Sequence, residues 1–104
     1  MLIVFASLKI KGGQPGRLKV ARLLNILATA SRQEPGCLIY SPAMSTEDLV
    51  TITVTEVWPD QAALEAHFKT PHFKQFLADA GGDLDGPPDI KTYDAIEMVS
   101  ATAT

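Results

Sequence analysis

"LVTITVTEVWPDQAALEAHF", residues 49–68, changes its hydrophobic period once, and that change decides the fold. From Leu49 to Trp58 the period is two: Val50, Ile52, Val54, Glu56 and Trp58 share one side, Thr51, Thr53, Thr55 and Val57 the other. Successive side chains of a strand point to opposite faces, so this segment reads as a strand. After "WPD" the spacing becomes helical. Ala63, Leu64, His67 and Phe68 form a stripe, and Asp60 stands where an N-cap belongs. Thr70 and Pro71 interrupt that stripe and restart it. Threonine can cap, proline suits the first helical position, and Phe73, Phe76 and Leu77 continue the apolar face.

Working outward, Leu2 to Lys11 is a strand stopped by Gly12-Gly13, a turn signal. Pro15 and Gly16 lead into a helix whose stripe is Val20, Leu23, Leu24, Leu27 and Ala30, with Lys19, Arg22 and Arg32 largely off it. Pro35 and Gly36 end it near Glu34. "CLIYSPAM" (37–44) is a second strand, "STED" (45–48) a polar turn, "DAGGDLDGPPD" (79–89) a turn-rich loop, and Ile90 to Val99 a last strand. The order β-α-β-β-α-β predicts an α+β, ferredoxin-like domain: a four-stranded antiparallel sheet with helices on one face. With no repeat or linker, residues 1–99 form a single domain, and the tail 100–104, "SATAT", is expected to fray.

Composition narrows the function classes. The 104 residues are 46% hydrophobic and carry nine Lys/Arg against twelve Asp/Glu, a net charge of −3. No basic cluster stands out, which argues against a nucleic-acid or anionic-membrane partner. The single cysteine, Cys37, makes neither an internal disulfide nor a zinc site by itself, and a reducing cytoplasm suits it. "MLIVFASLKIK" at the start has no basic region before its apolar run and no small-residue cleavage site after it. It is also shorter than the ~20 residues needed to cross a bilayer. A cytoplasmic protein without export or anchor signal is the expectation.

Helices on one face should leave the sheet's other face polar. Here Leu2, Val4, Ala6 and Leu8 lie on one side of the first strand, but Ile3 and Phe5 lie on the other. In the second strand Cys37 and Ile39 oppose Leu38 and Tyr40, and the weakly polar threonine face of the third includes Val57. Left bare, such a face is a sizeable apolar patch. A second copy pressed sheet to sheet, in a two-fold homodimer, is expected to cover it.

Several side chains are candidates for chemistry. Trp58 is either an aromatic wall for a flat substrate or a core residue. Beside it, an inward Glu56 carboxylate calls for a partner or water and so suggests a polar hole beneath the helices. His67, on the border of the buried stripe, is the candidate base for a phenolic proton. His72, in the first turn after Pro71, is disfavoured as a cation by the helix dipole and is placed to donate to a substrate oxygen. The two histidines are five apart across a proline break, not i, i+4, so metal binding by the pair is not expected. Tyr40, Phe68, Phe73 and Phe76 either line a cavity or simply fill the core. The loop Gly81–Pro88 could act as a lid, and its Asp83, Asp85 and Asp89 lack a full calcium-loop pattern. No dinucleotide turn, Walker loop or Cys/His cluster is present in the sequence, so no cofactor is expected.

Four stretches carry a resemblance: "EPGCLIY" (34–40), "TEVWPDQAALEAH" (55–67), "TPHFKQF" (70–76) and "GPPDIKTYD" (86–94). In this order and spacing the chain resembles the antibiotic biosynthesis monooxygenase domain, and within it the quinol monooxygenase-like branch. The resemblance implies a dimeric α+β barrel. Similar members oxidise electron-rich phenols or quinols with O2 using no metal or flavin, while others are isomerases or have no assigned reaction. A related haem-degrading branch uses a strand-one asparagine and a late helical histidine. The corresponding stretches here, "VFASL" (4–8) and "FKQFL" (73–77), contain neither. The reading is therefore a cofactor-independent monooxygenase of a small quinol or polyphenol. His67, tuned by Glu56, removes a phenolic proton, and Trp58, His72, Tyr40, Phe68, Phe73 and Phe76 surround the substrate. A non-catalytic dimeric binding module for a small molecule, or an isomerase of a small oxidised metabolite, is the alternative.

Overall fold

A computed structural model describes residues 1–98. The elements are β1 (Leu2–Lys9), α1 (Gly13–Ser31), β2 (Ile39–Met44), β3 (Thr51–Trp58), α2 (Gln61–Phe68), α3 (Pro71–Ala80) and β4 (Asp89–Asp94), with a short 3-10 turn at Gly81–Asp83. The sheet order is β2-β3-β1-β4, and each neighbouring pair is antiparallel. Each crossover therefore skips one strand: α1 carries the chain from β1 over β3 to β2, and α2–α3 carry it from β3 over β1 to β4. This is the expected ferredoxin-like α+β fold.

Element boundaries differ from the sequence reading for local reasons. Helix α1 opens at Gly13, before Pro15, because Gly12 turns the chain at φ 88. Pro15 then sits in the first turn, where a missing N–H leaves no bond unmade. The helix closes at Ser31 rather than near Glu34. Tight turns follow, with Glu34 N bonded to Ser31 O and Cys37 N to Glu34 O, both at 3.0 Å. Its buried side is Val20, Leu24, Leu27, Ala28 and Ser31, so Leu23 and Ala30 stand at the margin instead of the centre. Strand β2 starts at Ile39, not Cys37, and Pro42 is tolerated within it because β2 is an edge. Leu49 and Val50 are exposed ahead of β3. Strand β4 ends at Asp94, and the proposed strand end at Val99 and the tail 100–104 lie outside the described residues.

The core lies between the sheet and the helices. Val4, Leu8, Val20, Leu24, Ile52, Val54, Trp58 and Leu64 are all buried there. The other face reads differently from row to row. Ile39, Val57, Ile3 and Tyr93 are in register across all four strands. The next row is Ser41, Thr55, Phe5 and Lys91, and the next Ala43, Thr53, Ser7 and Asp89. Apolar character thus concentrates at one end, where Phe5 and Tyr93 are about half exposed and meet at 5.8 Å.

The 81–88 loop is fastened at its centre. Lys11 N bonds Asp83 O at 3.0 Å, Asp85 N bonds Lys9 O at 2.8 Å, and Leu84 is buried. These bonds tie the centre of the segment expected to act as a lid to the end of β1. Among the described residues no helix is long and apolar enough to cross a membrane.

Candidate functional site

The α2–α3 corner is built by two caps. The Asp60 carboxylate accepts from Ala63 N at 2.9 Å and starts α2. The Thr70 hydroxyl donates to His67 O at 2.7 Å and accepts from Phe73 N at 3.3 Å, so one side chain ties the end of α2 to the start of α3. Pro71 follows at the first helical position. The break re-aims the chain so that His67 and His72, on different helices, face a common point.

That point is a carboxylate. His67 Nδ1 lies 2.7 Å and His72 Nε2 2.8 Å from the same oxygen, Glu34 Oε2. Glu34 arrives there because the turn after α1 lies directly against α2. At Gly36 a Cβ would stand 2.9 Å from the Ala63 Cβ, so the approach needs glycine.

His67 is fully enclosed, and rings surround it: Trp58 at 4.8 Å between centroids, Phe73 at 5.1 Å, Tyr40 at 5.3 Å and Phe68 at 5.9 Å. On the far side of that stack, Trp58 Nε1 donates to Glu56 Oε1 at 3.0 Å. Glu56 and Trp58 are two apart on β3 and so share its inner face. The sequence Glu34–His67–Trp58–Glu56 is thus a continuous path of two hydrogen bonds and one aromatic contact.

Glu56 faces a cavity of about 40 Å³ beneath the broken helix. Its polar lining residues are Glu56 and Tyr40, and the rest is apolar, including Phe68, Phe73, Phe76 and Ile90. Burial pushes the Glu56 carboxyl up to about 7. The Trp58 hydrogen bond opposes that rise, and the Glu34 charge adds to it. Burial, and after it the Glu56 charge, also raise the Tyr40 phenol above its ordinary value. Burial lowers His67, against the pull of the Glu34 carboxylate. Glu56 therefore exchanges a proton near neutrality inside an apolar wall, which is the property a general base or acid needs.

The residues singled out in the sequence separate into two groups. Tyr40, Glu56, Phe68, Phe73 and Phe76 meet around the cavity. Trp58, His67 and His72 do not line it. Trp58 and His67 stand behind its wall, and His72, about one quarter exposed, is bound to Glu34. Glu34 itself escaped the sequence reading, which saw only a helix end. The available signal was the corner's pair of histidines, since a buried imidazole N–H needs an acceptor.

Comparison with known proteins places the chain in a family. The family profile described as antibiotic biosynthesis monooxygenase matches residues 1–79. The uncharacterized protein sll1783 of Synechocystis sp. is 31% identical over 96 residues, and the alignment covers 92% of this chain but 64% of that protein. The chain thus spans just under two thirds of that relative's length. The Escherichia coli protein described as "Probable quinol monooxygenase YgiN" is 30% identical over 92 residues, covering 81% of this chain and 88% of that one. A crystal structure of antibiotic biosynthesis monooxygenase superimposes with a TM-score of 0.84 at 31% identity, covering 93% of this chain and 100% of that chain. With the profile matching residues 1–79 and the fold superimposing over most of its length, the chain belongs to the antibiotic biosynthesis monooxygenase family.

Proposed function

We propose that the protein is a cofactor-independent monooxygenase that oxidises a small quinol or related polyphenol with O2. The observation that carries this reading is Glu56: a carboxylate on the wall of an apolar cavity, with a pKa near 7. Glu56 takes the phenolic proton, and the resulting anion gives an electron to O2. Superoxide and the ring radical recombine at a ring carbon, and cleavage of the O–O bond releases one oxygen as water. For a simple quinol the balance is quinol plus O2 giving hydroxyquinone plus water. The ring and the quinol couple supply the four electrons. Trp58 acts as a positioning residue, because its Nε1 holds Glu56 without reaching the cavity, and His67 packs against Trp58.

A space of about 40 Å³ takes roughly one molecule the size of water or dioxygen. Organic ligands fill pockets of roughly 300–1,000 Å³. The aromatic ring therefore enters at the rim, where Leu77 and Ile90 are 40% and 44% exposed, and Phe68 and Phe73 yield to it. Dioxygen occupies the apolar depth.

A two-fold homodimer covers the bare sheet face through the row Ile39, Val57, Ile3 and Tyr93. Sedimentation at micromolar concentration should give a dimer, and Phe5→Asp should shift it toward monomer. A stable wild-type monomer would sink this part of the reading. The unpaired Cys37 thiol fits a reducing, cytoplasmic setting. The partners are a small aromatic and O2, not nucleic acid or membrane.

The deciding experiment is oxygen uptake with a panel of quinols. Consumption that disappears in Glu56→Gln supports the reading. Saturable binding without oxygen uptake identifies a binding module, and turnover without oxygen identifies an isomerase.

A further inference from the structure

Glu34, His67 and His72 lie off the cavity wall, and proton exchange at Glu56 does not require two imidazoles on one carboxylate oxygen. Their ligand atoms, one from each residue, all lie within 4.8 Å of one another. We propose that this corner binds a divalent transition-metal ion of the zinc or cobalt class through Glu34, His67 and His72.

Imidazole nitrogen and carboxylate oxygen sit about 2.0–2.2 Å from such an ion, which places neighbouring ligands roughly 3 Å apart. The present separations of 2.7 and 2.8 Å need a small expansion, and the two imidazole nitrogens, within 4.8 Å of each other, close toward the same spacing by side-chain rotation. Two imidazoles and a carboxylate with open positions are a familiar donor set for zinc, cobalt and ferrous iron. The i, i+4 spacing rule fails here because the histidines belong to different helices. The proline break re-aims the second ring, and Glu34 from the α1–β2 turn supplies the third ligand. Side-chain exposure of 13% at Glu34 and 25% at His72 gives the ion a way in and lets water complete its shell.

Protonation is consistent with such a site. A carboxylate oxygen only accepts, so without an ion His67 donates from Nδ1 and His72 from Nε2 to the same Glu34 oxygen. His67 Nε2 is then a buried atom with no hydrogen-bond partner among the described residues. With an ion on Nδ1, the proton sits on Nε2 instead. A ring-lined environment accepts an N–H better than it accommodates a bare lone pair. Binding thus exchanges the His67 tautomer, and the dication meets one carboxylate charge.

The test uses the full chain after chelator treatment and dialysis. Titration with Co²⁺ followed by visible absorption, and with Zn²⁺ by calorimetry, should each give one ion per chain. Excess Zn²⁺ at about a hundred times Kd should raise the unfolding midpoint by roughly 10 °C. His72→Ala removes a partly exposed ligand and should weaken binding about a hundredfold or more, while Cys37→Ser should not change it. His72→Gln is the second variant, should the alanine chain fold poorly. Nitrogen NMR of His67 should show the proton moving from Nδ1 to Nε2 as zinc is added. No saturable binding up to millimolar ion, or wild-type affinity in both His72 variants, overturns the proposal. None of these measurements reads oxygen uptake, so this site and the oxygenase reading stand or fall separately.

Discussion

Glu56 and Glu34 are the same residue type on opposite sides of one aromatic stack, and their surroundings give them opposite tasks. Glu34 Oε2 has two imidazole nitrogens within 2.8 Å and lies at the protein's edge. Glu56 has one indole N–H and, apart from the Tyr40 phenol, an apolar cavity lining, and its pKa rises to about 7. A carboxylate that is desolvated and given a single donor keeps its proton to neutral pH. One that gathers several donors becomes an anchor. Proton exchange and fastening are thus placed on two acids linked through one His67–Trp58 contact.

The strongest way to break this division is at the cavity. Glu56→Gln keeps an acceptor for Trp58 Nε1, so the fold should survive, while quinol-dependent oxygen uptake falls by about 10²–10⁴-fold. Glu34→Gln should leave most of that rate. Equal losses in the two variants would mean that the stack acts as one relay and the division is wrong.

At the corner the expected effect is on stability. Glu34→Ala leaves both imidazoles without their acceptor and should cost about 3 kcal/mol in urea unfolding. Glu56→Gln, measured at pH 8, should cost nothing comparable. A Glu34→Ala chain as stable as wild type would show that the two short contacts hold nothing.

Between these lies a pH effect with a definite sign. The folded pKa of Glu56 is raised from 4.5 to about 7, so the folded state binds its proton more tightly. The associated stability is fully present below about pH 4.5 and is lost as pH rises through about 7. The loss should approach about 3 kcal/mol across that window. In Glu56→Gln this component of the pH dependence should vanish. Unfolding free energies at pH 5 and pH 8 for both chains check it, and an unchanged difference between those two values in the variant would remove the case for a buried, proton-holding Glu56.

How far the sequence revealed these roles follows from which interactions are local. The period change at Trp58, the Asp60 and Thr70 caps and the inward side of β3 depend on neighbours a few residues apart, and all were readable. So was Glu56, because strict alternation from Ile52 to Trp58 leaves it one face to occupy. His67 was read onto the helix's inner border, yet which rings wall it off depends on how α2 and α3 settle on the sheet. Tyr40, Phe68 and Phe73 all pack against it and also line the cavity. Glu34 was hidden for the same reason. Its partners are 33 and 38 residues away, and no periodicity links a turn after α1 to a corner after α2.

Thr70 offers the smallest and most local test of the comparison. Its hydroxyl joins the His67 carbonyl to the Phe73 amide, and so sets the angle at which the two histidines converge. Thr70→Ala removes a cap and should cost about 1 kcal/mol. Because the cap belongs to the Glu34 side of the stack, the loss should loosen the corner and leave the pH step at Glu56 in place. Hydrogen exchange should then rise at the amides of the first turn of α3 but not along β3. If exchange rose equally in β3, the two carboxylates would share one mechanical unit, because a disturbance at the corner would be reaching the strand that presents Glu56 to the cavity.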